Sequence, residues 1–182
     1  MSEKFKVANI RSIHFLTITI IDWVDLLTRP EYKHIIIESF EYCRKDKSLR
    51  IYAFVIMTSH IHLIASSDEP FSLPETIRDF KKFTSKRLIE KLIELPESRK
   101  VWILKKFSFA ADRIERGVNY KVWKDGFHPV ELDSNKLIDE KLDYIHNNPV
   151  KEEIVRFPEQ YLYSSALNYS GGKGIIDVEL LI

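Results

Sequence analysis

Apolar and polar positions alternate or recur along this chain in a way that predicts a mixed α and β domain. The stretch from Ile10 to Trp23, IRSIHFLTITIIDW, is rich in Ile, Phe and Thr and reads as a strand. After Pro30, the residues Tyr32, Ile35, Ile36, Ser39, Phe40 and Cys43 repeat at helical spacing. LRIYAFVIM and HIHLIASS are two further strands, joined by Thr58-Ser59 in a tight hairpin turn. Ser72 then caps a helix whose apolar stripe is Ile77, Phe80, Phe83, Thr84, Leu88 and Ile89. Residues Pro96 to Gly117 mix charge with Trp102, Phe107 and Phe109, and fit either a helix or an inserted loop. NYKVWKDGFHPVEL reads as a strand with a turn at Asp125-Gly126. The last long helix runs from Asp133 to Asn148, capped by Asp133 or Ser134. Pro149 ends it, because a residue before proline avoids the α region. An aromatic, irregular tail follows from about residue 150.

The order β-α-β-β-α-insert-β-α predicts an α+β fold, a ferredoxin-like antiparallel sheet with helices packed on one face. At 182 residues, one domain covers the whole chain, and 45% hydrophobic residues suffice for a core. The formal net charge of +1 gives no bulk signal for nucleic acid, so any such signal must be local. The lone cysteine, Cys43, rules out an intrachain disulfide and a cysteine-based zinc site, and suits a reducing compartment. The polar start MSEKFKVANIRS has no signal-like core, and no apolar run is long enough to span a membrane. The expectation is a soluble, cytoplasmic protein.

Two places carry chemistry. His60 and His62 are two residues apart in a strand, so both imidazoles point to one face, with Ile61 and Leu63 on the other. Imidazole is the commonest metal-ligating side chain, and two on one strand would supply half a site. The same spacing also suits a zinc site or two hydrogen-bonded core histidines. Tyr144 and Asn148 are four residues apart on the last helix and share a face, while His146 lies about 200° round from Tyr144. They fit a nucleophile with an orienting amide, and equally a core tyrosine with a helix-end amide.

VIMTSHIHLIAS, IRDFKKFTSKRL, VWKDGFHPVEL and YIHNNPVKEEIVRFPEQYLYSSALNY occur in that order. With them the chain, from about Ile10 to Tyr169, resembles the single-tyrosine HUH transposases of the IS200/IS605 type, and most closely the REP-associated tyrosine transposases. The resemblance implies metal-dependent nicking and strand transfer of single-stranded DNA, usually at a hairpin, through a 5′-phosphotyrosine. It makes His60, His62 and Asn148 the ligands of Mg²⁺ or Mn²⁺, and Tyr144 the nucleophile. It leaves a monomer or a homodimer open. The chain departs from many relatives in carrying Thr58-Ser59 where they have Pro-Asn. Local cations are then expected to hold the DNA: Arg78, Lys82 and Lys86 at i, i+4 and i+8, Lys121 with Trp123 as a stacking ring, and Lys151 just beyond Pro149. Two other readings use the same residues. One is a metal-dependent hydrolase without a covalent intermediate, the other a domesticated, non-catalytic hairpin-binding protein.

Overall fold

The computed structural model describes residues 12–113, 117–126 and 128–181. Among the described residues four strands, β1 (His14–Thr19), β2 (Leu49–Ile56), β3 (His60–Ser67) and β4 (Val130–Glu131), form one antiparallel sheet in the order β2-β3-β1-β4. Helix α1 (Pro30–Asp46) joins β1 to β2, and α2 (Leu73–Glu94) with α3 (Lys100–Asp112) joins β3 to β4. Each of these connections skips a strand, which gives the two interleaved split units of the ferredoxin-like arrangement.

Alternation along the strands explains the two faces. Leu16 and Ile18 of β1 and Ile61, Leu63 and Ala65 of β3 pack with Ile36 and Phe40 of α1, Phe80 and Leu88 of α2, and Ile103 and Phe107 of α3. Phe15, Val55 and Ile64 point the other way, into a second cluster with Leu142 and Ile145. Those two residues belong to α4 (Asn135–Lys151). The expectation of helices on one face therefore holds for α1 to α3, and α4 adds a layer on the opposite face. Its buried residues Leu142 and Ile145, at i and i+3, find their cover there against Phe15, Val55 and Ile64.

Several boundaries differ from expectation. The first strand stops at Thr19, and Ile21–Trp23 form a kinked turn in which Asp22 and Trp23 have φ of 52° and 54°; Ile10 and Arg11 lie outside the described residues. Within the ambiguous segment Lys100–Asp112 is helical, as α3, because Ile103 and Phe107 are one turn apart and both fully buried; residues 114–116 lie outside the described residues. The expected strand over 119–132 is broken. Trp123 bridges to Ile20, Gly126 adopts φ +98°, and pairing resumes only at Val130–Glu131. Ser134 is the cap of α4, its hydroxyl accepting from the Leu137 N–H.

Pro149 does not end α4, which continues to Lys151. A proline there deletes one hydrogen bond near a terminus, and its ring is buried with Asn148. The Glu152 N–H donates to the Asn148 carbonyl and the Ile154 N–H to that of Pro149, closing the helix end. The tail is ordered along the outer edge of β2. The Ile56 N–H donates to Tyr163 O, Ser165 N–H to Phe54 O and Glu179 N–H to Ile51 O. A four-residue helix α5 (Ala166–Tyr169) lies within it. Among the described residues no helix is long and apolar enough to cross a membrane.

Candidate functional site

The two histidines lie where β3 crosses β1 on the α4 side of the sheet. His62 pairs with Thr17 and His60 with Thr19. Their ring centroids are 4.7 Å apart. Phe15 stacks on His62 at 5.4 Å, and Trp23, 59% exposed, sets its edge against His60 at 5.3 Å. Burial lowers the pKa of both imidazoles. That of His62 is pushed down to about 3, with the neighbouring His60 and Lys141 adding to the effect. Both rings are therefore neutral at neutral pH, the form that donates a lone pair to a cation.

Helix α4 brings Tyr144 to the same place. Leu142 and Ile145 anchor the helix on the sheet, and this turns Tyr144 toward β3. Its ring meets that of His62 edge-on at 5.0 Å. Two ammonium groups flank the ring, Lys141 at 5.8 Å and Lys151 at 5.5 Å from its centroid. Tyr144 remains 38% exposed, so an outside group can reach its hydroxyl. Asn148 follows one turn later on the same face, 8% exposed.

The arrangement suits a divalent cation in one specific respect. His62 Nε2 is buried and has no hydrogen-bond partner. A buried lone pair without a donor is costly unless something electrophilic meets it. Among the described residues no group of three or more His, Cys, Asp or Glu is placed to hold a metal. Asn148, on the α4 face that also carries Tyr144, is one candidate for a further donor, and the Glu152 carboxylate is near enough to His60 to pull its pKa upward against burial.

The predicted DNA contacts divide between two places. Arg78 and Lys82 of α2 and Lys121 line one groove of about 650 Å³. Lys81 and Lys124 line it too, with Asp125, which pairs with Lys121. Lys81, missed by the spacing argument, reaches across to donate to the carbonyls of Lys124 and Gly126, at 3.3 and 3.0 Å. Lys86 does not line the groove and sits 4.0 Å from Glu90. Lys151 stands instead beside Tyr144. Trp123 is a correction: at 4% exposure its ring is core, and its indole N–H donates to Thr84 Oγ1 at 2.9 Å. It borders the groove beside Lys121, but with so little of its surface open it is held as core rather than as a stacking platform. Its position next to a buried threonine one layer away is a tertiary fact with no sequence signal. Trp23 is the exposed ring beside the histidines, and the strand reading hid it.

The family model described as "Transposase IS200 like" matches residues 12–113, a segment that carries both histidines and ends before α4. A solved structure of a REP-associated tyrosine transposase bound to a REP hairpin superimposes with a TM-score of 0.58 at 20% identity. That match covers 100% of this chain and 94% of the other. A putative transposase from Deinococcus radiodurans R1 matches at 12% identity and a TM-score of 0.47, over 80% of this chain and 97% of its own. No curated protein matches the chain.

Proposed function

The chain belongs to the IS200-like transposase family, and from that premise we propose that it nicks and rejoins single-stranded DNA with Tyr144 as the nucleophile. The observation that carries this reading is the meeting of Tyr144 with His62 at 5.0 Å, between the ammonium groups of Lys141 and Lys151. A bare phenol is a weak nucleophile, and it needs neighbouring positive charge to attack a phosphodiester.

His60, His62 and Asn148 would hold a divalent ion, which when bound supplies charge neutralisation at the phosphate. Two nitrogen donors favour Mn²⁺ over the oxygen-seeking Mg²⁺. The chain's own groups do the rest. Lys141 and Lys151 draw a phosphate to the tyrosine and stabilise negative charge on its oxygens. The Tyr144 oxygen attacks phosphorus in line. The bond to the 3′ oxygen breaks, the phenolic proton passes to solvent, and the leaving 3′ oxygen takes up a proton. The product is a 5′-phosphotyrosine with a free 3′-hydroxyl. Attack by another strand's 3′-hydroxyl reverses the step and regenerates the phenol, so rejoining needs no nucleotide cofactor.

The groove cations Arg78, Lys82 and Lys121 would follow the DNA backbone away from this point. Hairpin DNA is the proposed substrate class, since the solved relative named above is bound to a REP hairpin. The test is incubation with labelled single-stranded hairpin DNA and Mn²⁺, followed by a denaturing gel. The wild-type chain forms a covalent adduct. Tyr144→Phe forms none and keeps its DNA affinity, because only the reacting oxygen is removed. An adduct with Tyr144→Phe overturns the nucleophile. Turnover without an adduct points to plain hydrolysis.

A further inference from the structure

The hydrogen bonds behind the two imidazoles follow a single pattern. His62 Nδ1 lies 3.0 Å from Thr17 Oγ1, and His60 Nδ1 lies 3.2 Å from Ser59 Oγ. Each ring thus meets a hydroxyl at the same nitrogen. For His62 the two neutral tautomers are not equivalent. With the proton on Nδ1, that N–H donates to Thr17 and Nε2 keeps a lone pair. With the proton on Nε2, a buried N–H has no acceptor among the described residues and cannot meet a cation either. The first tautomer is also the one that offers Nε2 to a cation.

We infer that Thr17 and Ser59 are positioning residues that hold His62 and His60 as Nδ1–H tautomers, with both Nε2 atoms turned to one divalent ion. This rests on the metal reading of the site proposed above. A histidine ligand commonly donates its second N–H to a partner that fixes ring orientation and tautomer, and losing the partner costs about tenfold to a hundredfold in metal affinity. Sheet register explains Thr17, because β1 and β3 set it directly opposite His62. Ser59 gives the departure from Pro-Asn a function: the residue before the first histidine still carries a polar group for its Nδ1. Thr17 is exposed, so its second hydrogen-bonding capacity stays with solvent and the hydroxyl is free to accept.

Thr17→Val suits the test, being similar in shape and a good strand residue. Mn²⁺ binding to the full chain is followed by calorimetry. Thr17→Val and Ser59→Ala each weaken it by about tenfold or more. Thr17→Ser, which keeps the hydroxyl, restores it, and the thermal midpoint without metal stays unchanged. Long-range proton–nitrogen NMR of the metal-free chain near neutral pH reads the tautomers directly. Nδ1–H is expected for His62 in the wild type, with a shift toward Nε2–H in Thr17→Val. Wild-type affinity in both variants, or an Nε2–H ring at His62 in the wild type, overturns the inference. If the wild type binds no Mn²⁺, or a His60→Ala/His62→Ala chain binds it equally well, the metal reading itself falls and takes this inference with it.

Discussion

His146 lies two residues beyond Tyr144 on α4 and serves a different purpose. Its Nε2 is 2.8 Å from Ser165 Oγ in the tail, and the Tyr169 ring lies 4.9 Å away. Burial pushes its pKa down to about 4, against a weaker upward pull from Asp143. Above about pH 6.5 neither the folded nor the unfolded chain protonates this ring, and its full contribution is present. As pH falls below 6.5 the unfolded chain binds a proton that the folded chain refuses, so stability is lost down to about pH 4. His62 acts in the same direction. Urea unfolding of the wild type and of His146→Gln at pH 8 and pH 5 checks this. The fall in stability between the two pH values is expected to be roughly 2 kcal/mol smaller in the variant. Equal falls in both proteins would show that His146 is not the residue responsible.

At the scale of the element, α4 is a short lever that holds Tyr144 by an apolar grip. Ile145 is fully buried against the second face of the sheet, next to Tyr144 in sequence. Ile145→Ala should cost about 2–5 kcal/mol, with a cavity under the helix. It should also lower adduct formation in the fraction that stays folded, because Tyr144 then loses its fixed distance from His62. Chemical unfolding and the gel assay at a temperature where both proteins are folded measure the two effects separately. Normal adduct yield despite the lost stability would mean that α4 need not be held rigidly. The face of α4 was legible from the sequence, since Tyr144 and Asn148 at i and i+4 do share it. Its end was not. The rule that proline stops a helix is a local preference, and here a buried Pro149 and the capping N–H groups of Glu152 and Ile154 outweigh it.

Across the whole molecule, charge is arranged rather than abundant. A net charge of +1 coexists with a groove holding Arg78, Lys81, Lys82, Lys121 and Lys124 against one carboxylate, Asp125. Phosphate contacts release counterions, so each one adds about 0.7 to the slope of log affinity against log salt for a single strand. Lys82→Ala is expected to lower that slope by about this amount and to weaken binding at low salt more than at high salt. Fluorescence anisotropy across a salt series gives the slope, and an unchanged slope would place the DNA path elsewhere. The tail matters at this scale too. It occupies the outer edge of β2 through backbone hydrogen bonds, so a second copy cannot pair with that edge while the tail is in place.

Local rules were enough for the strands around the histidines, the helices α1 and α2, and the same-face relations of His60 with His62 and of Tyr144 with Asn148. These depend on the periods of 2 and 3.6 residues, which any sequence carries on its surface. The sequence also determined, through four separated motifs, the family to which the chain belongs. What lay beyond it were the relations between elements. The register of β1 against β3 sets Thr17 opposite His62. The packing of α4 on the second face brings Tyr144 to the histidines, across 82 residues of chain from His62. The burial of Trp123 against Thr84 removes a ring that composition alone would have offered to DNA. Each of these is decided by which apolar surfaces meet, and that choice is made by the whole core at once rather than by any one segment.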